Sequence, residues 1–103
     1  MTLANAVRGE VALALGADTF CLRPSFAALV AAEAELGPLF ALVERAAGGG
    51  LMLAEMAALF WFCLDAPPVS LTRAALGERL VAAGLANVTP ALRALLAQVL
   101  AGR

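Results

Sequence analysis

Lysine, histidine and tyrosine are missing from this chain altogether. Their absence removes the commonest general bases, the Schiff-base donors and the imidazole metal ligands. The remaining carboxylates lie beside arginines or at helix ends: Glu44 adjoins Arg45, Glu78 adjoins Arg79, and Asp65 closes a predicted helix. They read as solvated charges, and no enzymatic activity is expected. Only two cysteines occur, Cys21 and Cys63, in no metal-ligand spacing. Both read as small hydrophobes of a reduced, cytoplasmic protein, since nothing in "MTLANAVRGEVALALG" resembles an export signal. No metal or cofactor is expected, and "GGG" followed by Leu51 lacks the Lys and Ser/Thr of a phosphate loop.

Charge of one sign is scarce too. Seven arginines and eight acids are interspersed, leaving a net charge of −1. That mixture offers no basic stripe for a phosphate backbone, so nucleic acid is not an expected partner. An unbroken apolar run of about 20 residues, which a spanning helix needs, is also lacking. The nearest approach is "AAGGGLMLAEMAALFWFCL", residues 46–64, with Glu55 at its middle. A carboxylate at the bilayer centre costs about 2.5–3.5 kcal/mol, which flanking Leu and Phe could offset. A small helical protein anchored through residues 46–64 is therefore the alternative reading, and a membrane role is the lesser one.

What the chain does have is apolar residues, 63 % of 103, against roughly 45–50 % in an average soluble domain. Alanine supplies much of the excess and favours helix. The first segment alternates: Val7, Gly9, Val11, Leu13 and Leu15 on one face, Arg8, Glu10, Ala12 and Ala14 on the other. Gly16-Ala17 has the form of a type II′ turn. Counting outward from it sets Leu13 against Phe20, Val11 against Leu22 and Glu10 against Arg23. Five helical segments follow, over about 25–36, 38–47, 52–65, 71–83 and 90–101. Ser25 is the cap of the first; Phe26, Leu29, Val30 and Leu36 form its inner side. Gly37-Pro38 and Gly84 are the stops, with Leu85 folding back after Gly84 and Pro90 at the first position of the last helix. The predicted fold is a single α+β domain, mostly α, spanning residues 1–103: a two-stranded hairpin over about 7–23 packed on about five helices.

The stretch "EMAALFWFCLD" decides what kind of function to look for. A helical wheel gathers Met52, Leu53, Met56, Leu59, Phe60, Cys63 and Leu64 on one arc. Ala54, Glu55, Ala57, Ala58, Trp61, Phe62 and Asp65 fall on the other. Trp61 and Phe62 are then either covered by neighbouring elements, making this the central helix of a bundle, or exposed as an aromatic patch that anchors a protein contact. Candidate contact residues are Trp61, Phe62, Ala58 and Glu55 on this helix, and Arg8 and Glu10 at the start of the hairpin, whose free edge could accept another strand.

Three segments in order, "VRGEVALALG", "SFAALVAAEAELG" and "LFALVERAAGGGL", followed by "GERLVAAGLANVTPALRALLAQVLAG", resemble the small tail proteins of gene transfer agents and related phages. The resemblance rests on Arg8-Gly9-Glu10 at the start of a strand, on Glu33 to Gly37 closing a helix, and on Glu44-Arg45 ahead of the three glycines. It covers nearly the whole chain, although "LMLAEMAALFWFCLD" is more apolar than the family pattern at that point. The resemblance implies a tail tube component or a tail assembly chaperone. Its implied partners are other phage-like tail proteins and copies of itself, in the cytoplasm or in a non-contractile tail, with no catalytic residues. The short hairpin favours the chaperone, because a tube wall generally needs a larger sheet.

Overall fold

The computed structural model describes residues 9–101. Two strands, β1 (Val11–Leu15) and β2 (Asp18–Leu22), are followed by α1 (Phe26–Leu36), α2 (Leu39–Ala47), α3 (Leu53–Cys63), α4 (Arg73–Ala83) and α5 (Leu85–Ala101). The strands pair antiparallel in the register that the turn dictates, from Leu15 opposite Asp18 to Val11 opposite Leu22. Gly16 has φ +64° while Ala17 keeps an ordinary negative φ, the conformation of a type II′ turn. The ladder ends one step short of Glu10 and Arg23. Beyond Leu22 the chain pairs instead with the end of α3. Arg23 N–H donates to the Cys63 carbonyl (2.7 Å), and Asp65 N–H donates to the Cys21 carbonyl (2.9 Å).

The inner face of the hairpin is Val11, Leu13, Leu15 and Leu22, all buried, with Ala12 and Ala14 on the outside. It lies on α5 and α4, while α3 packs between α1 and α4. Met56, Leu59, Phe60 and Cys63 of α3 join Leu42, Leu76, Leu80, Val88 and Leu95 in one core. Ala32 of α1 and Ala58 of α3 are both fully buried; residues this small let two helix backbones approach closely. The predicted inner side of α1 is thereby corrected. Leu29 and Leu36 pack against the core together with Ala28 and Ala32, and the rotation of α1 that places them there leaves Phe26 and Val30 exposed.

Local chemistry explains the element ends. Ser25 Oγ accepts from Ala28 N–H (3.2 Å), and Thr72 caps α4 by accepting from Ala75 N–H (3.1 Å). Glu33 reaches ahead to accept Leu39 N–H at the start of α2 (3.0 Å). A second correction concerns α5, which begins at Leu85 and carries Pro90 inside it. Pro90 is so near the start that its missing N–H removes a single helical bond, to the Ala86 carbonyl. The Thr89 hydroxyl donates to the Leu85 carbonyl (2.8 Å) and so does not cap a helix beginning at Pro90. Leu85 is accordingly exposed on the first turn of α5. Gln98 turns its Oε1 inward with no donor among the described residues, and nothing in the structure explains it.

α3 has 11 residues and is about 16 Å long at about 1.5 Å per residue, roughly half a bilayer core of about 30 Å. No single helix among the described residues is long and apolar enough to cross a membrane. Anchoring through residues 46–64 therefore finds no support here.

Two measurements test this core. Leu59→Ala is expected to lower unfolding stability by about 2–5 kcal/mol in a denaturant titration, the usual range for emptying a fully buried leucine site. Burial pushes the Cys63 thiol up from 9.0 to about 12. Because the folded state holds this proton more tightly than the unfolded chain, the Cys63 contribution is intact below about pH 9 and is lost as pH rises toward 12. At pH 8 the native protein should leave Cys63 unmodified by a thiolate-selective reagent, with labelling appearing on denaturation.

Candidate protein-contact surface

The six residues singled out from the sequence do not form one surface. Arg8 lies outside the described residues. Glu10, placed on the wet face of β1 by alternation, is only 5 % exposed. Ala58 has no exposed surface and faces the packed side of α3, so the outer arc of the helical wheel is interrupted there. Trp61 and Phe62 are half-buried and pack against the core. The Arg73 guanidinium sits over the Phe62 ring, 5.4 Å from its centroid. α3 is thus covered on most sides toward its C-terminal end, the arrangement of a central helix.

Glu55 is spent within the molecule. One carboxylate oxygen accepts the Met52 N–H at the start of α3 (3.0 Å), and the other is ion-paired with Arg45 of α2. This closes the Gly48-Gly49-Gly50 joint between the two helices. Two further arginines bridge elements. Arg73 of α4 makes a two-pronged contact with Glu35 of α1, holding that carboxyl below its ordinary pKa by hydrogen bonding. Arg79 of α4 donates to Asp18 of β2 (2.5 Å) and to the Leu15 carbonyl (3.2 Å), with its guanidinium 5.2 Å from the Phe20 ring centroid. Exposed pairs of this kind contribute little energy each, and their effect is to fix where elements meet. Sequence reading missed all three because it looked to adjacent acids, Glu44 for Arg45 and Glu78 for Arg79, and gave Arg73 no partner, whereas the true partners lie 10 to 61 residues away.

The exposed apolar surface lies elsewhere. Phe26, at the start of α1, is 85 % exposed and Phe40, at the start of α2, is 77 % exposed. Val30 on α1 and Leu100 near the end of α5 are exposed as well. Leu29, Leu39, Phe40, Val43, Val99 and Leu100 line an open groove where α1, α2 and α5 meet, with Glu33 at its side. Exposure of Phe26 is the feature that periodicity could not reveal, since by spacing it belongs to the inner face of α1.

Folding also gathers potential ligands that spacing kept apart. One donor atom each from Glu10, Cys21 and Asp65 lies within 4.8 Å of the others. Two carboxylates and one thiol without histidine make a sparse donor set, in which Asp65 is exposed.

No curated protein and no solved structure matches the chain. A family model described as phage tail tube protein, GTA-gp10, matches residues 8–102, which include the hairpin and all five helices. With nearly its whole length accounted for in this way, the chain belongs to the tail protein family of gene transfer agents and phages.

Proposed function

We propose that this tail component acts without catalysis, through protein–protein contact during tail assembly, and that it serves as an assembly chaperone. The observation that carries this reading is the exposure of Phe26 and Phe40 beside an apolar groove. Large aromatic side chains left in water on a small domain are the usual anchors of a protein interface. Docking there would shield an apolar segment of another tail protein until it polymerises. The contact is assigned to this face rather than to Trp61 and Phe62, which are already half-covered by the chain's own elements.

A second reading is favoured by the description of the matching family, which is that of a tube protein. In that role the chain would remain in the finished tail. Against it stands the size of the sheet, two strands of five residues each, which is little material for a tube wall. The inventory of purified mature particles separates the two roles: a tube subunit is present in many copies, and a chaperone is absent.

The contact face has its own test. Phe26→Ser combined with Phe40→Ser should change unfolding stability by no more than about 0.5 kcal/mol per site, as expected of exposed positions. The same double variant should weaken binding to its tail partner by at least about 2 kcal/mol, roughly thirtyfold, and reduce the yield of tails seen by electron microscopy. Normal tail yield from that variant would remove this face from the proposal.

A further inference from the structure

The two edges of the hairpin are not equivalent. In an antiparallel pair, successive residues point their N–H and C=O groups alternately toward and away from the partner strand. The two-residue turn makes Leu15 and Asp18 the closing hydrogen-bonded pair, so the outward groups on β1 belong to Ala12 and Ala14. The bonds between Asp65 N–H and the Cys21 carbonyl, and between Arg23 N–H and the Cys63 carbonyl, fix the same phase on β2. The outer edge of β2 is therefore occupied at its C-terminal end by residues 63–65. On β1, the outward groups of Ala12 and Ala14 have no hydrogen-bond partner among the described residues, and both residues are exposed.

Proteins generally guard such an edge with lysine, proline, a bulge or an inward charge. Between Val11 and Leu15 there is none of these. The edge is also complementary to itself. A two-fold axis through Leu13 sets Ala12 opposite Ala14 of a second copy, and Ala14 opposite Ala12 of that copy. Every outward N–H and C=O of these residues then has a partner, and the side chains brought together are alanines. Glu10 comes opposite Gly16, so no like charges meet. No other antiparallel register pairs both outward alanines of one copy with both of the other.

We propose that β1 is a homodimer interface, at which a second copy of this chain adds its own β1 antiparallel about Leu13 to form a continuous four-stranded sheet. The interface is separate from the Phe26 and Phe40 face and does not depend on which tail protein that face engages. Because the contact is isologous, it closes at two copies and cannot extend into a filament.

Sedimentation equilibrium of the full chain tests it. The wild type should associate in the micromolar range to twice its 10.5 kDa chain mass. Ala12→Pro removes an outward donor without touching the β1–β2 ladder, and A12E/A14E places carboxylates opposite one another across the axis. Each should weaken association at least tenfold while far-UV circular dichroism stays unchanged. A12K/A14E sets an ammonium opposite a carboxylate and should restore the dimer. That restoration reads the register itself and decides the matter even where the proline variant fails to fold. A monomeric wild type overturns the proposal. So does a dimer that survives A12E/A14E, or one that is lost with Phe26→Ser and Phe40→Ser but not with the edge variants.

Discussion

Two backbone hydrogen bonds, from Arg23 N–H to the Cys63 carbonyl and from Asp65 N–H to the Cys21 carbonyl, join the end of α3 to the outer edge of β2. A two-stranded hairpin is marginal in water and needs a partner for its apolar face. Here α4 and α5 cover that face, and the end of α3 continues the sheet. The central helix, already walled in by α1 and α4, delivers its last residues as a short third strand position, with Leu64 opposite Leu22. With the hairpin held there, Leu13 and Leu15 fall over α4 and α5, and Arg79 can reach both Asp18 and the Leu15 carbonyl. The same attachment leaves β1 as the edge without a neighbour among the described residues.

Much of the fold could be read before any coordinates. The strand register follows from one glycine in a two-residue loop and from alternation on either side of it, both local constraints. Gly37-Pro38 and Gly84 stop helices for equally local reasons, with Gly37 and Gly84 at positive φ. Family resemblance was legible from the order of segments, and residues 8–102 match the family model. Less legible was which face of each helix is buried. On α1, Phe26 and Val30 have the right spacing for a core stripe, yet the side with Ala28, Leu29, Ala32 and Leu36 is the one packed on the core. Periodicity identifies an apolar arc but cannot rank two such arcs when the rest of the helix is alanine. Pro90 misled for the converse reason. A proline at the first helical position is a strong prior, but a helix can absorb one lost hydrogen bond near its start.

The candidate site shows the same division. Glu55 looked available because its partner, Arg45, lies across a glycine joint, and sequence adjacency tied Arg45 to Glu44 instead. Trp61 and Phe62 could be read as covered or as exposed, because the residues beside them on the wheel are small or acidic. In three dimensions small neighbours mean close packing: Ala58 is sealed, and Arg73 lies over Phe62. The apolar surface left over after these contacts are made is scattered: Phe26 and Val30 on α1, Phe40 on α2 and Leu100 on α5 are exposed, as are Met52 and Leu53 at the start of α3 and Val81 on α4. An interface is thus better sought in what the packed fold leaves uncovered than in the most apolar stretch of the chain, since that stretch is the one the core claims first.

The two surfaces differ in the kind of assembly each can build. A strand edge pairing about a two-fold axis uses the same patch on both copies and is satisfied once it has closed. The aromatic face has no counterpart of this sort among the described residues: its prominent features are Phe40 in the groove and Phe26 at the start of α1, which would have to enter an apolar recess on something else. A dimer closed through β1 would carry two such faces, and a partner presenting repeated apolar segments would be held at both. The gain in avidity requires no new contact, only a spacing between segments that the two faces can span. A chaperone that must release its client when the tail polymerises is well served by that design, because each face alone can be weak while the pair holds.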